Sequence, residues 1–191
     1  MRKDLYIFRH GETNFNKEKR IQGQSCNMSL NENGMKQAQK LAGILNDVNM
    51  EVIFASPLKR AYETALEIAK SKNIEVIKEP DLQEVNLGDV EGKCLDEISK
   101  DDYDALTCWR NPLHNFNGGE CKAQAEERVV NVVKKIADSK YNIIGIASHG
   151  ALISCLLHHF GLEKGYNLPQ DKVFHITYEN NKFNLVSDFA E

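Results

Sequence analysis

Short apolar runs recur along this chain at residues 5–8, 52–55 and 143–147, and a further strand is expected at 74–77. None of the three runs alternates with polar residues, so each reads as a strand covered on both faces, the condition of a parallel sheet held between helices. Stretches with helical spacing lie between them. The first runs over 34–47, with Met35, Ala38, Leu41, Ala42 and Leu45 on one face. Others cover 56–70, 120–137 (Ala125, Val129, Val133 and Ile136 aligned) and 151–160. This alternation predicts a three-layer α/β/α sandwich with a largely parallel central sheet. A terminal hairpin is expected from residues 173–178 and 183–186, joined by 179–182. The 191 residues suit one domain spanning the chain and suffice for a sizeable core. No repeat, low-complexity segment or linker interrupts them.

Three of these strands run into groups with chemistry. The first ends in Arg9-His10-Gly11 and the fourth in Ser148-His149-Gly150. The second meets Ser56-Pro57-Leu58-Lys59-Arg60, where Ser56 is expected to cap a helix and Pro57 to open it. Arg60 then falls in the first helical turn, where free N–H groups already favour an anion. Parallel strands bring their carboxyl ends to one sheet edge, so these groups can converge. Gly11 lets backbone approach a ligand closely, and Arg9 offers a fork of donors matched to phosphate or carboxylate oxygens. Two arginines and two histidines together repel one another, so a dianionic phosphate is their natural partner. His10 is read as the group that attacks phosphorus. Singly, each has a plainer reading: a solvated helix charge for Arg60, a helix cap for His149, a structural pair for Arg9 and His10.

The remainder narrows the class. A net charge of −4 with dispersed Lys and Arg excludes the footprint of a nucleic-acid binder. No apolar run approaches the roughly 20 residues of a membrane helix. The start enters a strand without a secretory signal, and the five cysteines lack CxxC spacing. Free thiols in the cytoplasm are therefore expected, in a monomer or homodimer. Residues 14–33 read as a polar loop containing Asn16, Arg20, Gln22 and Gly23, and 79–92 as a second loop. Residues 93–119 are expected to form an excursion covering the site. It holds a short helix near 95–98, an acidic patch (Asp101, Asp102, Asp104), and Trp109 as lid residue or anchor. Cys155, His158 and His159 invite a metal reading, but adjacent histidines on a helix are expected to point in different directions.

The Arg-His-Gly-Glu-Thr start resembles the histidine phosphatase superfamily, also called the phosphoglycerate mutase-like family. Similar positions follow at Asn16, Arg20, Gln22-Gly23, residues 55–61, Leu82-Gln83-Glu84, Gly88, Glu91-Gly92, Gly118-Gly119-Glu120 and Ser148-His149-Gly150. Together they cover residues 3–186. The resemblance implies a phosphoglycerate mutase-like fold in which His10 forms a phosphohistidine. Arg9, Arg60 and His149 are then the ligands of the phosphoryl oxygens and Glu84 the proton donor, chosen over neighbouring Glu79, Asp81, Asp89 and Glu91 on the resemblance alone. Asn16, Gln22 and Gly23 line the phosphate or substrate pocket. No step requires a metal or cofactor. The chain departs from the family pattern at residues 24–31, which lack Asp-x-Pro-Leu-Thr, at Leu87 in place of Phe, and at Cys121 in place of Ser. These departures bear on the pocket wall.

Metal-independent hydrolysis of a small phosphate monoester is the expected activity. A cofactor-dependent phosphoglycerate mutase is the alternative, but it needs extensive closing segments to keep water from the phosphohistidine. Only the 25 residues 93–117 separate Gly92 from Gly118, and nothing resembling a closing tail follows the hairpin. A non-catalytic phospho-ligand or partner-binding domain is the third reading, disfavoured by intact His10 and Glu84. Sugar phosphates, phosphoglycerates, phosphoserine and nucleoside-like phosphates all remain open as substrates.

Overall fold

A computed structural model describes residues 2–107, 111–161 and 168–189. Trp109 and Cys108 lie outside the described residues. The strands are β1 (Lys3–Arg9), β2 (Val52–Ala55), β3 (Glu75–Lys78), β4 (Ile143–Ser148), β5 (Val173–Glu179) and β6 (Lys182–Phe189). The helices are α1 (Asn14–Lys17), α2 (Glu32–Ile44), α3 (Lys59–Lys72), α4 (Lys100–Thr107), α5 (Lys122–Ala137) and α6 (Gly150–His159). They surround a six-stranded sheet ordered β3-β2-β4-β1-β5-β6. The first four strands in that order pair in parallel, while β5 and β6 run antiparallel.

Side-chain alternation explains the layers. On β1, Leu5 and Ile7 join one apolar cluster with α5 and α6 residues such as Val129, Val133, Leu152 and Leu156. Phe8 joins the opposite cluster with Leu41 of α2 and Ala65 and Ile68 of α3. Strands covered on both faces cannot alternate apolar with polar residues, so the uninterrupted runs follow from the architecture.

Register places the site. Arg9 pairs with Ser148, and Ala55 pairs with Ala147. One residue further on, the His10 and Ser56 backbone N–H groups donate to the Ser148 and Ala147 carbonyls, each at 3.0 Å. The carboxyl ends of β1, β2 and β4 therefore form one edge, with β4 central.

Several local expectations need correction. Ser56 does not cap α3: the helix begins at Lys59, and Leu58 occupies the cap position without a side-chain bond. Its hydroxyl is turned to a histidine instead, as described below. Arg60 keeps its place in the first turn. Residues 95–98 form turns, and the helix of the excursion lies later, at α4. There Ser99 Oγ accepts from Asp102 N at 3.1 Å, and Asp101 and Asp102 occupy the first turn, a better helix start than residue 95 offers. The polar loop contains short α1, which Thr13 caps, and α2 starts at Glu32 because Asn31 caps it. The hairpin turns on Asn180 and Asn181 alone, both at positive φ, which Asn tolerates. His158 and His159, expected to diverge, both reach Glu126, at 2.8 and 3.3 Å.

Candidate active site

His10 leaves the end of β1 with 1% of its surface exposed. Its Nδ1 lies 2.7 Å from the Gly11 carbonyl oxygen. A carbonyl can only accept, so Nδ1 carries the hydrogen and Nε2 keeps its lone pair. Burial, then the Arg60 and Arg9 guanidinium groups, push the imidazole well below its ordinary value of 6.5. His10 is therefore neutral near pH 7, with a nucleophilic nitrogen that needs no separate base.

His149 occupies the N-cap position of α6 without capping it, and is fully buried. Its ring centroid lies 5.2 Å from that of His10, tilted by 57°. Burial, followed by Arg60, His10 and Arg9, holds it well below 6.5 as well. Two buried neutral histidines make folding pH-sensitive. Below pH 6.5 the unfolded chain gains protons that the folded chain refuses, so stability present above 6.5 is lost as pH falls. Each contributes a slope of up to about 1.4 kcal/mol per pH unit. Urea unfolding in phosphate-free buffer at pH 7.5, 6.5 and 5.5 is expected to show stability dropping across the lower interval. Equal stabilities at the last two values contradict it.

Arg60 is the largest fully buried side chain among the described residues. Its Nη2 donates to the Gly23 carbonyl at 2.8 Å and its Nη1 to the Cys26 carbonyl at 3.0 Å. One guanidinium thus joins α3 to the loop after β1. Gly23 sits at φ +55°, and a Cβ there meets Glu91 Oε1 at 1.9 Å, so a larger residue must both strain the backbone and displace the Glu91 carboxylate. Arg9 Nη1 donates to the Leu168 carbonyl at 2.5 Å. Thr13 ties two more expected residues together: its N–H donates to Asn16 Oδ1 at 3.1 Å, and its hydroxyl lies 3.0 Å from Gln22 Oε1. Arg20 instead braces the loop, donating to Gly92 O at 3.0 Å and Glu18 Oε2 at 3.1 Å.

Glu84, 6% exposed, joins the cluster through α6. Its Oε1 accepts from Leu152 N and Val85 N at 3.0 Å, and Oε2 accepts from Ala151 N at 3.3 Å. The helix that begins just after His149 therefore also seats Glu84. Of the carboxylates considered in this loop, Glu79 is paired with Lys135 and Glu91 accepts from the Gln24, Ser25 and Leu87 N–H groups.

Sequence reading missed Arg128. From α5 it donates to the Asp81 carbonyl at 2.7 Å and the Gln83 carbonyl at 3.0 Å, and it holds Glu120 through two contacts of 2.5 and 3.2 Å. Glu120 in turn accepts from Asn86 N at 2.9 Å. Arg128 thus fastens the backbone on both sides of Glu84. A helical arginine carries no local signal of this, because the carbonyls it holds lie more than forty residues earlier in sequence. Arg128→Lys keeps the charge but loses the fork. If Glu84 is the proton donor, kcat is expected to fall about tenfold with KM little changed; unchanged kcat contradicts a positioning role for Arg128.

Comparison with known proteins places the chain by sequence and fold. Phosphoserine phosphatase 1 of Hydrogenobacter thermophilus is 36% identical over 148 residues, 76% of this chain and 70% of that protein. The solved structure of Bacillus stearothermophilus YhfR superposes with a TM-score of 0.85 at 30% identity, covering 96% of this chain and 95% of the other. A phosphoserine phosphatase from Entamoeba histolytica, solved with 3-phosphoglyceric acid, gives a TM-score of 0.82 at 25% identity, covering 99% and 98%. The family model of the histidine phosphatase superfamily (branch 1) matches residues 5–188, nearly the whole alternating pattern and all the strand ends above, and the chain belongs to that superfamily.

Proposed function

We propose that His10 Nε2 attacks the phosphorus of a small phosphate monoester in the pocket formed by Arg9, Arg60 and His149. The protein is a phosphoric monoester hydrolase, and this reading assigns its groups. Negative charge on the transferred phosphoryl is balanced by the two guanidinium groups and by an N–H of His149. As the P–O bond breaks, Glu84 gives its proton to the departing alkoxide. Oε2 suits that task, being the less engaged oxygen at 3.3 Å from Ala151 N, against two contacts of 3.0 Å at Oε1. Water then attacks the phosphohistidine, Glu84 takes its proton, and inorganic phosphate leaves. Every charge and proton is supplied by side chains, so the cycle needs no metal.

The observation that carries this reading is the His10 tautomer, fixed by the 2.7 Å contact to Gly11 O, in a site that keeps the ring neutral. Phosphoserine phosphatases among the relatives support phosphorylated hydroxy and amino acids as the first substrates to assay. Free thiols at Cys26, Cys94, Cys121 and Cys155 support a reducing compartment such as the cytoplasm.

The test compares substrates of different leaving groups in the presence of a chelator. Alkyl esters such as phosphoserine need protonation on departure, whereas nitrophenyl phosphate does not. Glu84→Gln is expected to slow alkyl esters roughly a hundredfold and nitrophenyl phosphate far less. Equal slowing of both removes Glu84 from the proton-donor role, and loss of wild-type activity on adding chelator removes the metal-independent mechanism.

A further inference from the structure

We infer that Ser56 is a positioning residue for catalysis, fixing the His149 tautomer that presents an N–H to the phosphoryl group. The inference rests on the proposed role of His149 as a phosphoryl ligand and adds how that role is imposed.

Ser56 is fully buried where β2 ends. Its Oγ accepts from Leu58 N at 3.3 Å, which occupies a lone pair and leaves the hydroxyl proton to be placed. Among the described residues the remaining partner is His149 Nε2, at 2.7 Å. The serine therefore donates and Nε2 accepts. A neutral imidazole has one hydrogen, so that of His149 sits on Nδ1. This Nδ1 is buried and has no hydrogen-bond partner among the described residues. A buried N–H left so costs roughly 1–3 kcal/mol, and an anion oxygen arriving beside the neighbouring His10 relieves that cost.

The two histidines then share a tautomer and put it to opposite use. His10 spends its Nδ1–H on Gly11 O and offers a lone pair at Nε2. His149 spends its Nε2 lone pair on Ser56 and offers Nδ1–H. Were the His149 proton on Nε2, a lone pair would face the phosphoryl oxygens, repelling the charge that builds in the transition state. Protonating the ring fully would supply the same donor, but burial and the flanking arginines oppose a second proton. A neutral residue that sets the tautomer is the remaining way to obtain a donor there, as outer hydrogen bonds do for metal-bound histidines.

The experiment is long-range 1H–15N spectroscopy of protein labelled in its histidine side chains, with the His149 signals assigned by their loss in His149→Asn. In the wild type, Nδ1 is expected to show the shift of a protonated ring nitrogen and Nε2 that of an unprotonated one. In Ser56→Ala the proton moves wholly or partly to Nε2, the affinity for inorganic phosphate and kcat/KM each fall roughly tenfold, and Ser56→Thr, keeping the hydroxyl, retains the wild-type tautomer. Inorganic phosphate distinguishes the role of Ser56 from that of His149. If it shifts the His149 signals but the proton already resides on Nε2, or if Ser56→Ala leaves the tautomer unchanged, the Ser56 inference falls and His149 remains a ligand. If phosphate leaves the His149 signals unmoved, both fall.

Discussion

Replacing His10 with Ala is expected to lower kcat by at least about ten thousandfold while inorganic phosphate still binds. Loss of a nucleophile that acts as one unit with its surroundings costs on that scale. The phosphate ligands of the proposed site, Arg9, Arg60 and His149, are left in place by the substitution. The ring is held neutral, so removing it takes no positive charge from the site. Steady-state kinetics and phosphate titration of the same preparation measure both quantities. Turnover within tenfold of wild type contradicts the assignment, as does a loss of phosphate binding equal to the loss of kcat.

Gly34→Ala is the second large effect, and local propensity gives it the wrong sign. In a helix interior Ala is favoured over Gly by about 1 kcal/mol. Gly34 lies in the first turn of α2, and a Cβ there meets Glu12 O at 2.1 Å and Glu12 N at 2.7 Å. The crossing is reciprocal, since a Cβ on Gly11 meets Gly34 O at 2.4 Å. Backbone on both sides leaves no flexible side chain to yield. The loop is further fixed by Gly11 N donating to Thr64 Oγ1 at 3.0 Å and Glu12 N donating to Gln37 Oε1 at 2.7 Å. Gly34→Ala is therefore expected to destabilise the protein by about 3 kcal/mol. Because the same loop sets the Gly11 carbonyl against His10, activity at temperatures where the variant remains folded should also fall. Urea unfolding with a midpoint equal to or above that of wild type contradicts this account.

Sequence exposed what depends on local pattern. Strands β1, β2 and β4, covered on both faces, the helices between them and the convergence of Arg9, His10, Arg60 and His149 all follow from short runs and from the geometry of parallel strands. Glu84 was different: its loop holds several carboxylates, and only resemblance to a family selected it. The structure gives it a physical distinction, since its carboxyl meets the N-terminus of α6 while Glu79 and Glu91 are engaged elsewhere. What stayed hidden were contacts between distant segments. Ser56 has the local signature of a helix cap, and only the β2–β4 register reveals that His149 stands beside it. Arg128 looks like any charge on an amphipathic helix until α5 is seen against the 81–84 loop. Residues 95–98 carry apolar side chains at helical spacing, yet the helix forms where Ser99 can cap it.

Covalent phosphorylation of a single imidazole is the central claim, and rapid quenching tests it most directly. Enzyme mixed with excess 32P-labelled phosphoserine or another hydrolysed ester, stopped in alkali within one turnover and digested, should yield a phosphoryl group that is stable in alkali, labile in acid and located on His10. Label on another residue, or single-turnover phosphate release with no protein-bound label at any time point, contradicts the account.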